Sequence, residues 1–251
     1  MRAILTYHSI DESGSVISIS EEVFREQIVW LARSSVRVVP LDTLMRMPSN
    51  ANAVALTFDD GFVSFGDVAA PLLADHGMPS TLFVVADAAG KTNRWPGRRD
   101  RGVPELPLLG WEALGRLHGQ GVEIGGHTRT HVNLAHLTSS RMQDEVIGGA
   151  ERIRKEIGHM PAAFAYPYGA VNDTAVGIVA SRFAWGCTTD MRWVSANEAR
   201  ALLPRIDMFY LRNHGQLERW GTARFRYHLT WRAGARLVRR HLHEVTAGRQ
   251  T

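Results

Sequence analysis

The chain has 251 residues, 45% of them hydrophobic, and a formal net charge of +4. This length fits one α/β domain of barrel size with a large core. Its apolar stretches fall far short of the roughly 20 residues that a membrane-spanning helix needs. The single cysteine, Cys187, excludes an internal disulfide and a zinc site made of cysteines alone. The apolar segment at the start of the sequence is too short for a signal peptide, and this predicts a cytoplasmic protein.

Short apolar segments alternate with helical segments along the chain. The first apolar segment spans residues 3–8, and a helix capped by Ser20 is predicted to run to about residue 32. A second helix is predicted at residues 139–157, where Gly158 ends it. This alternation predicts an α/β fold, a single (β/α) barrel of seven or eight strands around a parallel sheet. The other predicted strands are 36–39, 53–58, 81–85, 122–124, 163–166, 184–187 and 202–206.

Two aspartates directly follow the predicted strand 53–58. Asp59 and Asp60 precede Gly61, and in a barrel of this kind ligands bind where the strands end. Adjacent side chains of a strand point to opposite faces, but a turn at Gly61 would let both carboxylates converge on one site. One carboxylate can then bind a metal ion while the other accepts a proton.

Two histidines, His127 and His131, follow the predicted strand 122–124. Their spacing places both imidazoles on one face of a helical turn, so both can reach the same ion. Aspartate is a common third ligand for zinc-like ions, and a catalytic site keeps its remaining position open. The metalloprotease pattern carries its general base between the histidines, but Thr128 follows the first histidine here, so a neighbouring aspartate is the expected base.

Each pattern has an ordinary explanation when it is taken alone. Asp-Asp-Gly is most often a turn or a helix cap, and a single pair of histidines is hardly more specific. Their joint occurrence after two predicted strands favours a functional site. A non-haem iron oxygenase fits less well, because its carboxylate usually follows the first histidine closely, whereas both aspartates here precede the pair.

Residues 57–61 (Thr-Phe-Asp-Asp-Gly) and 127–131 (His-Thr-Arg-Thr-His) resemble the first two motifs of the polysaccharide deacetylases, carbohydrate esterase family four. Residues 164–169 resemble the third motif, and residues 203–207 resemble a later strand found in one branch of the family. The resemblance covers roughly residues 3–208. It implies a distorted (β/α) barrel that acts on carbohydrate and removes acetyl groups from amino sugars.

The resemblance also implies roles for individual residues. Asp59 would be the general base, and Asp60, His127 and His131 would hold a divalent metal, usually zinc. Such a metal lowers the pKa of water toward about 7 and polarises the acetyl carbonyl. The backbone amide of Tyr168 would help to bind the oxyanion. Substrate contacts are predicted at Tyr7, Trp95, Pro167 and Tyr168.

The chain departs from the family pattern in its third motif. That motif usually carries an arginine that orients the catalytic aspartate, whereas this chain has Ala165 there. Arg205, at the end of the predicted strand 202–206, is the candidate replacement, because a guanidinium can hold a carboxylate through two hydrogen bonds. A surface ion pair explains Arg205 equally well.

A second departure concerns the general acid. The family's last motif is a C-terminal strand whose histidine protonates the leaving amine, but no such strand follows Asp207. The chain instead begins with an apolar strand that ends in His8. The first and last strands of a closed barrel are neighbours, so a circular permutation could move this strand to the front. His8 is therefore the candidate general acid, although a histidine at a strand end often has a structural role.

Residues 88–107 are rich in glycine, proline and arginine and follow the predicted strand 81–85. In a barrel this position lies on the active-site face. A merely solvated loop is the alternative. The side chains that could stack on a sugar or meet a phosphate are Arg94, Trp95, Arg98 and Arg99.

The C-terminal part of the chain is strongly basic. Residues 211–251 are interpreted as a helical extension of a barrel at residues 1–210, and residues 219–249 contain eight arginines and one acid. No zinc-finger or recognition-helix pattern supports nucleic-acid binding. An apolar stripe at helical spacing either packs on the barrel or rests on an anionic membrane. Its members are Tyr227, Trp231, Ala235, Val238, Leu242 and Val245.

Together these observations predict a metal-dependent N-deacetylase of an N-acetylated amino sugar in a cell-surface polysaccharide pathway. The absence of a signal peptide favours a lipid-linked or nucleotide-linked glycan precursor. The alternatives are a deformylase, an amidohydrolase of a non-sugar amide, and an inactive relative that binds sugar. The residues alone imply hydrolysis of an amide or ester, and the resemblance supplies the sugar.

Overall fold

A curled parallel sheet of eight strands forms the centre of the molecule, and a small two-stranded sheet lies beside it. The computed structural model describes residues 1–95 and 102–234. Arg98, Arg99 and the stripe residues from Ala235 onward lie outside these described residues. The strands are β1 (Arg2–Tyr7), β2 (Ser9–Ile10), β3 (Ser18–Ile19), β4 (Arg37–Val38), β5 (Ala53–Phe58), β6 (Ser80–Val84), β7 (Glu123–Gly126), β8 (Ala163–Ala165), β9 (Trp185–Cys187) and β10 (Ile206–Asp207).

The large sheet closes on itself. Its order is β10-β1-β5-β6-β7-β8-β9, and β4 pairs with the start of β5. Thr6 of β1 pairs with Asp207 of β10, so the N-terminal strand is the neighbour of the last strand. At the other edge, the Leu203 amide donates to the Gly186 carbonyl of β9 at 2.7 Å. Segment 203–207 therefore joins both edges, and the predicted distorted (β/α) barrel is confirmed, with seven strands in this order and β4 as an eighth strand beside β5.

Helices cover the outside of the barrel. Ser20 caps the first helix as predicted, since its hydroxyl accepts a hydrogen bond from the Val23 amide at 3.2 Å. That helix buries Phe24, Ile28 and Leu31 against the sheet. The helices are α1 (Glu21–Arg33), α2 (Leu41–Arg46), α3 (Ala70–Asp75), α4 (Trp111–Gly119), α5 (Ser139–Gln143), α6 (Gly149–Ile157) and α7 (Asp173–Arg182), followed by helical residues 223–234.

The helix predicted at residues 139–157 is interrupted. A π-helical turn at Asp144–Gly148 separates α5 from α6, and Gly158 ends α6 in the left-handed conformation with φ 76°. Such turns shift the register of a helix and are frequent at functional sites. Here the turn contains Glu145, which is buried beside the segment that carries both histidines.

Strand alternation separates two buried environments. Leu5 and Tyr7 of β1 face the helices, together with Phe58 of β5. The intervening side chains face the barrel interior, where alanines from β5 and β8 leave room for a long polar side chain. Arg205 occupies this interior with 1% of its surface exposed.

The C-terminal helical segment packs on the barrel through Phe225 and Leu229. These residues are each 2% exposed, whereas Tyr227 and Trp231 are 74% and 55% exposed. Of the two alternatives that the sequence left open for the apolar stripe, packing on the barrel is therefore wrong for its members Tyr227 and Trp231. No helix within residues 1–95 and 102–234 is long and apolar enough to span a membrane.

Candidate metal and catalytic site

The two aspartates at the end of β5 face different partners. Asp59 continues the interior-facing alternation of the strand, and its amide donates to the Tyr7 carbonyl at 2.9 Å. Asp60 and Gly61 then adopt positive φ angles of 73° and 83°. This reversal turns the Asp60 carboxylate away from Asp59 and toward the histidines of the neighbouring loop.

Asp60, His127 and His131 form a compact cluster. Asp60 Oδ1 lies 3.4 Å from His127 Nε2 and 3.2 Å from His131 Nε2. The three ligand atoms lie within 4.8 Å of one another, and all three residues are buried. Burial opposes ionisation of Asp60, but the charges of the neighbouring His131 and His127 outweigh it and hold its pKa well below the usual value.

The hydrogen bonds of the two imidazoles indicate where their lone pairs point. His127 Nδ1 lies 2.7 Å from the Ala165 carbonyl, which can only accept, so Nδ1 carries the proton and Nε2 faces Asp60. His131 Nδ1 lies 3.0 Å from the Tyr168 hydroxyl. Asp60 Oδ1 is buried and receives no hydrogen bond in the described structure. Two nitrogens and an oxygen thus converge, and this donor set fits a divalent cation such as zinc.

Arg205 holds Asp59 through two hydrogen bonds. Its guanidinium nitrogens lie 2.6 Å from Oδ1 and 2.7 Å from Oδ2, and both side chains are buried. The same guanidinium also donates to the Thr6 hydroxyl at 3.1 Å and the Thr188 carbonyl at 2.9 Å. Burial alone would raise the pKa of Asp59, but the charge and hydrogen bonds of Arg205 outweigh it and lower the pKa. Arg205 therefore lies in the barrel interior and not in a surface ion pair.

His8 completes this group from the adjacent strand. Its Nε2 lies 3.7 Å from Asp59 Oδ2, and a quarter of its side chain remains exposed. The residue follows β1, which the sheet order places between β10 and β5. His8 and Asp59 directly follow β1 and β5, whereas Arg205 directly precedes β10 and reaches Asp59 with its guanidinium. The structure thus brings the three side chains together from three neighbouring strands.

The loop between the histidines is strained and tightly held. Within the described residues, four non-glycine residues have positive φ angles, and all of them lie at this site. Such conformations cost energy and persist only where the surroundings impose them. They are Asp60, Thr128, His131 and Tyr168, with φ between 60° and 73°.

Glu145 supplies much of that support, and the sequence analysis did not identify it. Its carboxylate accepts hydrogen bonds from the Arg129 amide at 3.0 Å and from the Thr130 amide and hydroxyl at 2.9 and 2.8 Å. The sequence contains only a weak signal for it, a glutamate that follows the apolar Met142 by about one helical turn. A buried carboxylate there needs partners, and the histidine loop provides them.

Most of the predicted substrate contacts lie beside His131, and one of them, Tyr7, lies elsewhere. Trp95 stacks on His131 with 4.3 Å between ring centroids, and Tyr168 packs edge-on against the same imidazole at 4.7 Å. Pro167 is buried in the turn that carries Tyr168. Arg94 lies in an exposed ion pair with Glu105 at 3.0 Å.

Tyr7 lies elsewhere, and the prediction that it contacts substrate is corrected. Its ring is buried between Phe24 and Phe58, with centroid distances of 5.3 and 5.0 Å. Because side chains alternate along β1, Thr6 faces the barrel interior and Tyr7 faces α1.

Comparisons with known proteins agree with this geometry. Residues 46–182 match the family model described as polysaccharide deacetylase. YxkH of Bacillus subtilis (strain 168), whose name assigns it to that family, is 23% identical over 209 residues, 81% of this chain and 70% of YxkH. The poly-beta-1,6-N-acetyl-D-glucosamine N-deacetylase of Staphylococcus epidermidis is 24% identical over 203 residues, 75% of this chain and 67% of that protein.

A solved structure shows the same fold. The Streptococcus pyogenes deacetylase PplD, in complex with acetate, matches with a TM-score of 0.70 and 24% identity. The match covers 82% of this chain and 91% of that one. The family match itself spans more than half of the chain and contains both the aspartate pair and the histidine pair. The chain therefore belongs to the polysaccharide deacetylase family, the family of amide hydrolases that its motifs predicted.

Proposed function

We propose that the protein is a metal-dependent N-deacetylase that removes the acetyl group from an N-acetylated amino sugar. The observation that carries this proposal is the different pairing of two adjacent aspartates. Asp60 faces His127 and His131, while Arg205 holds Asp59. One carboxylate is suited to metal ligation and the other to proton transfer, and metal-assisted hydrolysis of an amide requires both.

Asp60, His127 and His131 are the proposed ligands. A divalent metal bound there would supply Lewis-acid chemistry, because it acidifies water and polarises a carbonyl. Zinc is the proposed ion, since imidazole nitrogen and carboxylate oxygen are ligands that it commonly takes.

Proton transfer is assigned to Asp59 and His8. Asp59 is the proposed general base, which accepts the proton of the attacking water while Arg205 fixes the orientation of its carboxylate. His8, on the adjacent strand, is the proposed general acid that protonates the amine as the carbon–nitrogen bond breaks. The backbone amide of Tyr168 is proposed to stabilise the oxyanion.

The proposed substrate is a glycan, or a glycan precursor, of a cell-surface polysaccharide pathway. Trp95 supports a sugar substrate, because an indole beside a ligand imidazole offers an apolar wall next to polar groups. The name of the staphylococcal relative points to polymers of N-acetylglucosamine. A lipid-linked or nucleotide-linked precursor and a cytoplasmic location stay predictions.

The contact between Arg205 and Asp59 also argues against an inactive relative. That alternative rested on Ala165, which stands where the family usually has its orienting arginine. The Arg205 guanidinium approaches the same carboxylate from segment 203–207. A chain that had lost catalysis would have no evident need to bury an arginine against this aspartate.

The test measures metal content and acetate release together. The metal-loaded protein is incubated with N-acetylglucosamine oligomers and lipid-linked sugars, and compared with Asp59→Asn, Asp60→Ala and the control Asp75→Asn, an exposed carboxylate at the end of α3. We expect Asp59→Asn to bind metal without releasing acetate, Asp60→Ala to lose both, and Asp75→Asn to match the wild type. Formate release from N-formyl sugars alone would indicate a deformylase. Bound metal without release of either acid would contradict the proposed substrate class.

A further inference from the structure

The helical segment 223–234 presents two faces with opposite environments. Phe225 packs against Trp193 and Trp220, with ring centroids at 5.9 and 5.3 Å, and Leu229 belongs to the same buried core. This face attaches the segment to the barrel. The other aromatic residues of the segment do not take part in that packing.

Tyr227 and Trp231 form an exposed aromatic pair. They are two of the three large hydrophobic residues that are exposed within residues 1–95 and 102–234; the third is Val16. Four residues apart on a helix, they lie on the same side. An exposed aromatic pair of this kind costs hydrophobic free energy unless another surface covers it.

The surroundings of the pair are basic. Residues 219–234 contain four arginines and no acid, a charge equal to the net charge of the whole chain. The Arg232 guanidinium lies 4.9 Å from the Trp231 ring and 5.3 Å from the Tyr210 ring. The other three arginines are Arg219, Arg224 and Arg226.

A cavity opens beside the aromatic pair. Its volume is about 200 Å³, and it lies between the helical segment and the preceding turn. Its walls combine cationic and aromatic groups, a chemistry that suits a phosphate attached to an apolar body. Its lining includes Arg219, Arg224, Tyr227, His228 and Trp231.

We propose that the face formed by Tyr227, Trp231, Arg219 and Arg224, called here the aromatic-basic face, docks on the surface of an anionic lipid bilayer. Tyrosine and tryptophan are enriched at the level of lipid headgroups, because each ring has an apolar body and a polar edge. Arginines near such a surface are attracted by its negative potential, and their guanidinium groups pair with lipid phosphates. The proposal does not depend on the proposed catalytic activity.

The experiment is flotation of the full chain with lipid vesicles. Phosphatidylcholine vesicles are compared with vesicles that also contain phosphatidylglycerol, for the wild type and for Tyr227→Ala/Trp231→Ala and Arg219→Glu/Arg224→Glu. Val16→Ala is the matched control, since it removes an exposed hydrophobic residue elsewhere. We expect binding only to anionic vesicles, a loss of at least about tenfold in both double variants, and no loss in the control. All variants should keep the wild-type melting temperature, because the replaced side chains are exposed.

Several results would overturn this proposal. Equal binding to neutral and anionic vesicles would show that the arginines do not attract the protein to anionic lipid. Unaltered binding of both double variants would show that another surface of the protein contacts the vesicle. Complete competition by inorganic phosphate would indicate a site for free phosphate. If the wild-type protein binds single-stranded RNA but not vesicles, the basic residues bind nucleic acid and not lipid. A dimer that the Tyr227→Ala/Trp231→Ala variant abolishes, without vesicle binding, would assign the face to a second copy.

Discussion

Replacement of Arg205 by leucine removes the cation that holds the buried Asp59 carboxylate. The side chains of Arg205 and Asp59 are 0% and 3% exposed, so solvent does not screen the loss. Breaking a buried ion pair by removing one partner typically costs about 3–5 kcal/mol. For a chain of this size, 1 kcal/mol shifts the melting temperature by about 2–4 °C. We therefore expect Arg205→Leu to melt about 6–20 °C below the wild type and to release no acetate.

Differential scanning calorimetry of a double-mutant cycle checks this reasoning. The Arg205→Leu/Asp59→Asn protein contains neither charge, so it should recover most of the lost stability while remaining inactive. Arg25→Leu is the control, because Arg25 and its partner Glu21 are both more than half exposed on α1, and an exposed pair of this kind contributes about 1 kcal/mol or less. The scans are run with and without a chelator, so that metal binding is separated from the ion pair. If the Arg205→Leu protein melts within about 2 °C of the wild type, removal of Arg205 does not leave a buried and unpaired Asp59 charge, and the reasoning is wrong.

The remaining predictions concern the loop support, the packing and the substrate wall. Glu145→Ala should weaken metal binding about 10–100-fold in calorimetric titration, because two loop amides lose their acceptor; unchanged affinity would contradict a positioning role. Gly186→Ala should lower the free energy of unfolding by about 1–3 kcal/mol, since its Cβ would lie 2.7 Å from the Ala201 carbonyl. Gly177→Ala in α7, where a Cβ meets nothing, should instead be neutral or stabilising by about 1 kcal/mol in the same denaturant titration. Trp95→Ala should raise KM for sugar substrates more than it lowers kcat, and an unchanged KM would remove Trp95 from the substrate wall.

Local patterns were sufficient to predict the barrel and the position of the histidine pair. The short apolar segments coincide with strands because parallel sheets bury both faces, and the aspartates follow β5 because ligand-binding groups collect where such strands end. Arg205 was predicted to replace the family arginine, and the structure places its guanidinium against Asp59. That contact spans 146 residues of sequence, so only the family resemblance could suggest it.

The side on which Tyr7 lies and the packing face of the C-terminal helical segment could be predicted only in part from the sequence. Thr6 and His8 share one side of β1, so period-two alternation places Tyr7 on the other side, toward α1. In residues 223–234 the pairs Phe225/Leu229 and Tyr227/Trp231 have the same helical spacing. Nothing local selects which pair packs on the barrel, because that choice depends on Trp193 and Trp220 from distant segments.

The closure of the barrel also determines when the chain can become active. The Asp60–His127–His131 cluster follows two strands in the interior of the sequence, whereas Arg205 and His8 come from segments near its two ends. Arg205 reaches Thr6 across 199 residues, so the groups around Asp59 assemble only after the C-terminal strand has been synthesised and has joined β1. The two ends of the chain, and not its middle, therefore complete the surroundings of Asp59. Docking of segment 203–207 on β1 is the step that brings Arg205 to this carboxylate.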